Sequence, residues 1–125
     1  PIVLVSRDLM LCSKLAGVAQ AMGQNLDVAG TIEAAFENAA LSGSRLFIVD
    51  LELPDLNIDL LFNKSRNILQ EDIHVIAYAP HVRTEKLAAA RDAGCDLVVT
   101  RGQIMTDAES ILRKHFETTA QLTFA

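Results

Sequence analysis

With 125 residues, half of them apolar and 22% charged, the chain has the composition of one globular domain and too little length for two separate cores. A formal charge of −5 and a pI near 5.0 argue against nucleic acid or an anionic membrane as a partner across the whole surface. The absence of Trp and the single Tyr leave little for the aromatic stacking on which single-stranded nucleic acid binders rely.

The opening apolar run, Ile2–Val5, has no basic leader and is too short to span a bilayer. It reads as a first strand. The sequence opens at Pro1 rather than Met, which points to a start inside a longer reading frame or to processing. Leu11, Leu15, Val18, Ala19 and Met22 recur at helical spacing and end at Gly23. Leu26–Ala29 is a second short strand, followed by Gly30. Thr31 then caps a helix whose inner face is Ile32, Ala35, Phe36 and Ala39, stopping near Gly43.

Residues 46–49 are apolar at every position and run into Asp50. Unbroken apolarity predicts a strand covered on both faces. Pro54 and Asn57 mark a loop, and a helix follows with Ile58, Leu61, Phe62, Ile68 and Leu69 inward. Residues 73–78 form the fourth strand, with a turn at Pro80. Residues 84–93 read as a helix with Leu87, Ala90 and Ala93 inward, closed by Gly94. Residues 97–99 are the fifth strand, and the last helix covers about residues 106–116 with Ala108, Ile111, Leu112 and Phe116 on one stripe. Residues 1–116 thus form one domain, and 117–125 read as a C-terminal tail or the start of a linker.

Buried strands joined by helical crossovers predict a three-layer α/β domain with a parallel five-stranded sheet. Such a sheet places its chemistry beyond the carboxyl ends of the strands. The residues there are Ser6, Arg7, Asp8, Gly30, Asp50, Glu52, Ala79, Thr100 and Arg101. Asp50 closes the most apolar strand, where a lone carboxylate is unfavourable unless paired or solvated. It either caps the turn that follows or centres a small polar site.

The segment Asp50, Leu51, Glu52, Leu53, Pro54, Asp55 resembles the phosphoacceptor segment of response-regulator receiver (CheY-like) domains, and the likeness extends over about residues 2–116. Gly94, Cys95 and Asp96 are similar to the family's Gly-Ala-Asp before strand five, and residues 74–79 to its fourth strand. Arg101 falls at its lysine position. The resemblance implies a (βα)5 flavodoxin-like sheet of order 2-1-3-4-5, with Asp50 as the phosphoacceptor equivalent.

It also exposes departures. Ser6 and Arg7 stand in the acid pocket that holds a divalent metal in the family, leaving Asp8 as the only acidic residue of that trio. Ala79 takes the place of the switch Ser/Thr, or Tyr78 if the register slips by one. Val98 takes the place of the strand-five aromatic, Gly102 follows Arg101 in place of proline, and Ile58 replaces a glycine of the loop after Pro54.

Phosphoryl transfer to a carboxylate builds negative charge that the family offsets with Mg²⁺. Arg7 in that pocket opposes a cation by several kcal/mol in a poorly solvated site. The expectation is that Arg7 and Arg101 both approach Asp50 in a metal-free ion-pair cluster, bidentate in the manner of guanidinium. An Arg7 turned to solvent counts against it. A metal held by Asp8, Asp50 and Glu52 is the alternative.

Other signals are weak. The first strand leads into no GxGxxG or GxxxxGK[ST] loop. His74, His81 and His115 have no metal-ligand spacing with the cysteines, and a Ser6–Asp50–His81 triad lacks a GxSxG elbow. Cys12 and Cys95 read as small core residues and favour a reduced, cytoplasmic setting. Arg83, Lys86 and Arg91 make helix four basic, either as a solvated face or as part of a surface with strand five and helix five. The leading expectation is therefore a non-enzymatic degenerate receiver in signal transduction, acting through a protein partner or homodimer on that face, with no cofactor. The alternatives are an atypical regulator phosphorylated at Asp50 with Mg²⁺, and a small-molecule domain or enzyme on the same fold.

Overall fold

A computed structural model describes residues 1–54 and 56–124, with side chains through Glu117. Five strands, β1 (Ile2–Val5), β2 (Leu26–Ala29), β3 (Leu46–Asp50), β4 (His74–Ala79) and β5 (Leu97–Thr100), alternate with α1 (Leu9–Ala21), α2 (Ile32–Ser42), α3 (Ile58–Lys64), α4 (Thr84–Asp92) and α5 (Arg101–Phe124). Every strand pair is parallel, in the order β2-β1-β3-β4-β5. This is the three-layer arrangement expected from buried strands and short crossovers.

Alternation along each strand sorts the core into two layers. Leu4, Ile48, Ile76 and Tyr78 face α1 and α5, where they meet Leu11, Leu15, Ile104, Ala108 and Leu112. Val3, Val5, Phe47, Val49 and Val75 face the other side, against Ala35, Phe36 and Ala39 of α2 and Leu61 of α3. Ala77 and Ala79 lie under α4, against Leu87 and Ala90. Small side chains on this part of β4 let α4 sit close to the sheet.

The ends of the helices follow local chemistry. Asp8 caps α1 by accepting from the Leu11 amide, Thr31 caps α2 through the Ala34 amide, and Asn57 caps α3 through the Leu60 amide. Gly43 closes α2 at φ +77°, a left-handed conformation that glycine adopts without steric penalty.

Two expectations change. α5 starts at Arg101, not near residue 106. Thr100 Oγ1 accepts from the Gln103 amide at 3.1 Å and Gln103 Oε1 accepts from the Thr100 amide at 2.8 Å. This reciprocal capping box starts the helix directly off β5. The backbone of α5 stays helical to Phe124 apart from a break at Asp107 (φ −114°, ψ 21°), so the stretch read as a tail continues the helix. Its side chains beyond Glu117, and Asp55, lie outside the described residues. In the third crossover, α3 gives way to a π-helical turn over Ser65–Leu69. The wider turn shifts the phase of the apolar stripe. Ile68, expected inward, is consequently 53% exposed.

Leu15 is fully buried between α1 and the sheet, whereas Leu41 is 90% exposed. Leu15→Ala is expected to lower unfolding free energy by about 2–5 kcal/mol, and Leu41→Ala to change it by no more than about 0.5 kcal/mol. Urea titrations of the two variants check this.

Candidate functional site

Parallel register fixes which side chains meet at the strand ends. Val5 pairs with Val49, so Ser6 and Asp50 follow side by side, and Asp50 pairs with Tyr78 across β3 and β4. Ser6, Asp50 and Tyr78 share the parity of Leu4, Ile48 and Ile76, so all three point to the α1–α5 side. Ser6 Oγ and the Tyr78 hydroxyl are hydrogen-bonded at 2.7 Å, both groups being buried. Ser6 Oγ also accepts from the Asp8 amide at 3.1 Å.

Burial, followed by the negative charges of Asp50 and Asp8, pushes the Tyr78 phenol far above its usual range despite the Ser6 bond. It remains a neutral hydrogen-bonding group. Burial also raises the Asp50 carboxyl, reinforced by Asp8 and Glu52 and partly offset by bonds from the Glu52 amide and Tyr78. The Glu52 amide donates to Asp50 Oδ1 at 2.8 Å, so Asp50 does cap the turn that follows it.

The arginines are not where the strand ends alone suggested. Arg101 Nε and Nη2 donate to Oδ2 and Oδ1 of Asp8 at 2.7 and 3.3 Å, making the bidentate pair with Asp8 and not with Asp50. The Arg101 bond lowers the Asp8 carboxyl below its ordinary value against an opposing desolvation. Arg7 is exposed and its Nε donates to the Gly30 carbonyl at 3.1 Å. The expected three-way cluster on Asp50 is thus overturned. The reason is parity: Arg7 follows Val5 onto the α2 side of the sheet, and only Ser6 follows Leu4 toward α1 and α5. A Cβ on Gly30 would lie 3.4 Å from Arg7 Nε, so the glycine leaves room for this course.

Glu52 turns away as well. Its carboxylate bridges Arg83 at 2.7 Å and Lys86 at 3.1 Å, which lower it below its ordinary value and tie the β3–α3 loop to the start of α4. Two of the basic residues read as an open helix-four face are therefore engaged within the domain. Ala79 is fully buried under α4 and Val98 is half-buried beside it, paired with Ala77. Neither offers a hydroxyl or a ring to the strand ends. His81 is exposed in the turn after β4. Burial raises both thiols, Cys95 to about 11, as for core cysteines rather than nucleophiles.

Receiver-type folds imply Mg²⁺ at this place. Magnesium is held by one or two carboxylates in octahedral oxygen geometry. Both Asp8 oxygens are taken by Arg101, the Ser6 hydroxyl by Tyr78, and Glu52 by α4. Among the described residues, no three His, Cys, Asp or Glu side chains gather as a metal site. The donor set does not fit the ion.

Tyr78 is the residue that sequence reasoning underrated. The signal available was its parity with Asp50 and Ser6, together with its being the only Tyr in the chain.

The sheet order and the carboxylate closing β3 define the class as a receiver-type doubly wound domain. No family model and no curated protein matches the chain. Among solved structures, it is similar to a CheY-like response regulator receiver domain protein from Methanospirillum hungatei JF-1, with 17% identity, coverage of 96% of this chain and 95% of that one, and a TM-score of 0.77. The receiver domain of NtrX from Brucella abortus matches at 18% identity over 94% of this chain and 99% of that one, with a TM-score of 0.77. A protein from a family of streptococcal redox sensors evolved from two-component response regulators matches at 12% identity and a TM-score of 0.81, over 98% of this chain and 53% of that one. At these identities the likeness establishes the fold: the chain has the CheY-like receiver fold. No helix among the described residues is long and apolar enough to cross a membrane.

Two variants probe the row. Asp50→Asn is expected to stabilise the domain at pH 7, because the folded state holds this carboxyl above its unfolded value and so disfavours its charged form. The gain shrinks as pH falls through the raised Asp50 pKa and vanishes below the unfolded value, where wild type is neutral in both states. Thermal melts of both proteins from pH 7 to pH 3 check the sign. Tyr78→Phe removes the hydroxyl while Ser6 keeps the Asp8 amide, and is expected to lower unfolding free energy by about 0.5–1.5 kcal/mol, read by urea titration.

Proposed function

We propose that this domain is a degenerate receiver, a protein-interaction module in signal transduction that works without phosphorylation at Asp50. The observation that carries this reading is the hydrogen bond between Tyr78 and Ser6, which places a buried phenol beside Asp50 where a metal-binding acid pocket would have to open. The second support is the pair between Arg101 and Asp8. It commits the one acidic residue of the β1–α1 loop to an arginine, so that carboxylate is not free to hold a metal beside Asp50. Ala79 has no hydroxyl to follow such a group, and Val98 has no ring to swing after it. The streptococcal relative, described as a redox sensor evolved from response regulators, offers a parallel for a receiver fold put to another use.

The surface assigned to the partner, a second copy or another protein, is formed by α4, β5 and α5. Leu97 on the edge strand is 41% exposed, with Ile111 of α5 partly exposed beside it, and Val98 is partly exposed on the α4 face of the same strand. An apolar centre with charged Lys114 and Asp96 at its border has the anatomy of a protein contact.

Incubation with acetyl phosphate and Mg²⁺, followed by intact-mass measurement, is expected to leave the mass unchanged, and calorimetric Mg²⁺ titration to show no binding at millimolar concentrations. A stoichiometric gain of one phosphoryl group that disappears in Asp50→Asn overturns the proposal and establishes the phosphoaccepting alternative.

A further inference from the structure

α4 is lightly anchored at its start. Its buried side chains are Leu87 and Ala90, and the β4 residues beneath them are the small Ala77 and Ala79. Arg83, Thr84, Glu85 and Lys86 are all exposed. Arg83, at the N-cap position, makes no side-chain capping bond, so the first turn lacks the local closure that Asp8, Thr31 and Asn57 give to α1, α2 and α3. The turn is tied to the rest of the domain by Arg83 Nε and Lys86 Nζ, which donate to different oxygens of Glu52 at 2.7 and 3.1 Å.

Glu52 is itself held from the other side. Leu51 and Leu53, each 8% exposed, are buried in different parts of the core. Leu51 packs with Leu87 under α4, and Leu53 joins the layer beneath α2. Between these two anchors the turn is shaped by Asp50. Its Oδ1 accepts from the Glu52 amide at 2.8 Å, and its carbonyl accepts from the Leu53 amide at 3.2 Å. Glu52 therefore meets Asp50 with its backbone and α4 with its carboxylate.

We propose that Glu52 couples Asp50 to α4: the Asp50 oxygen that accepts the Glu52 amide keeps the first turn of α4 docked, and loss of that bond loosens the turn. Ala79, under α4, has no hydroxyl through which to sense Asp50; the link runs along the β3–α3 loop instead. Any ligand or modification that takes Asp50 Oδ1 from the amide is then read out at the start of α4. Control of the partner surface by this route rests on the reading of the α4–β5–α5 face given above. The coupling itself involves only contacts inside the domain, so it is tested on α4 with neither partner nor phosphodonor present.

Amide hydrogen exchange of wild type, Asp50→Ala, Glu52→Ala and the double variant at pH 7.5 is the test. The readout is the amides of residues 87–89, whose helical acceptors are the carbonyls of the first turn. Glu52→Ala keeps the backbone amide and removes the clamp, and is expected to lower protection there by about two- to fivefold, the range of exposed ion pairs. Asp50→Ala, which leaves the clamp residues in place, is expected to lower it by about twofold or more, while protection in β1 and α1 does not fall. The double variant should match Glu52→Ala, because two changes along one link are not additive. The proposal is overturned if either single variant leaves residues 87–89 unchanged, if the losses of the single variants multiply in the double variant, or if β1 and α1 lose protection in parallel with α4.

Discussion

Parallel pairing leaves the ends of β1, β3 and β4 no freedom to choose neighbours. Once Val5 lies beside Val49, and Asp50 beside Tyr78, three polar side chains stand in one row against the helices that cover that face. Each has to be satisfied by the others or by the loops just beyond. The Tyr78 hydroxyl meets Ser6, and Ser6 in turn holds the Asp8 amide. Asp8, placed by that bond, both caps α1 and receives Arg101. Arg101 is the first residue of α5, so the row of hydroxyls sets the relative position of the two helices on that side.

The two carboxylates of this region consequently differ in kind. Asp8 has its counter-charge and a helix amide, so its negative form is favoured and its contribution to stability is lost as pH falls below the unfolded value. Asp50 has the Glu52 amide, a bond from Tyr78 and two neighbouring acids, and makes no ion pair among the described residues. Its charge is tolerated rather than used. A metal would reverse that balance, but the Ser6, Asp8 and Glu52 oxygens near it are engaged by Tyr78, Arg101, Arg83 and Lys86.

Much of the fold was legible because buried parallel strands announce themselves. Residues 46–49 carry no polar side chain, and the strand they predict lies at the centre of the sheet. α2 was equally readable, with Thr31 at one end and Gly43 at the other. The start of α5 was less so. The stripe that begins at Ala108 hides a first turn whose only mark is Thr100 and Gln103 spaced as a capping box, with Gly102 between them. The π-helical turn after Lys64 left no mark at all: Ile68 keeps helical spacing with Leu61, and only the change of pitch turns it outward.

The site was half legible, and the missing half was a question of faces. Position at a strand end brought Ser6, Arg7, Asp50 and Arg101 into one list, although a strand sends alternate side chains to opposite sides of the sheet. Counting parity from Leu4 and Ile48 puts Ser6 and Asp50 together and sends Arg7 toward α2, as found. The same count on β4 selects Tyr78 over Ala79 as the neighbour of Asp50, and Ala79 as the residue beneath α4. A sheet of this order can thus be built with a hydroxyl pair at these strand ends. Packing requires only that the face toward each helix be filled. A phenol anchored on serine fills the face toward α1 and α5 as well as an acid pocket would, and it needs no ion to hold it there.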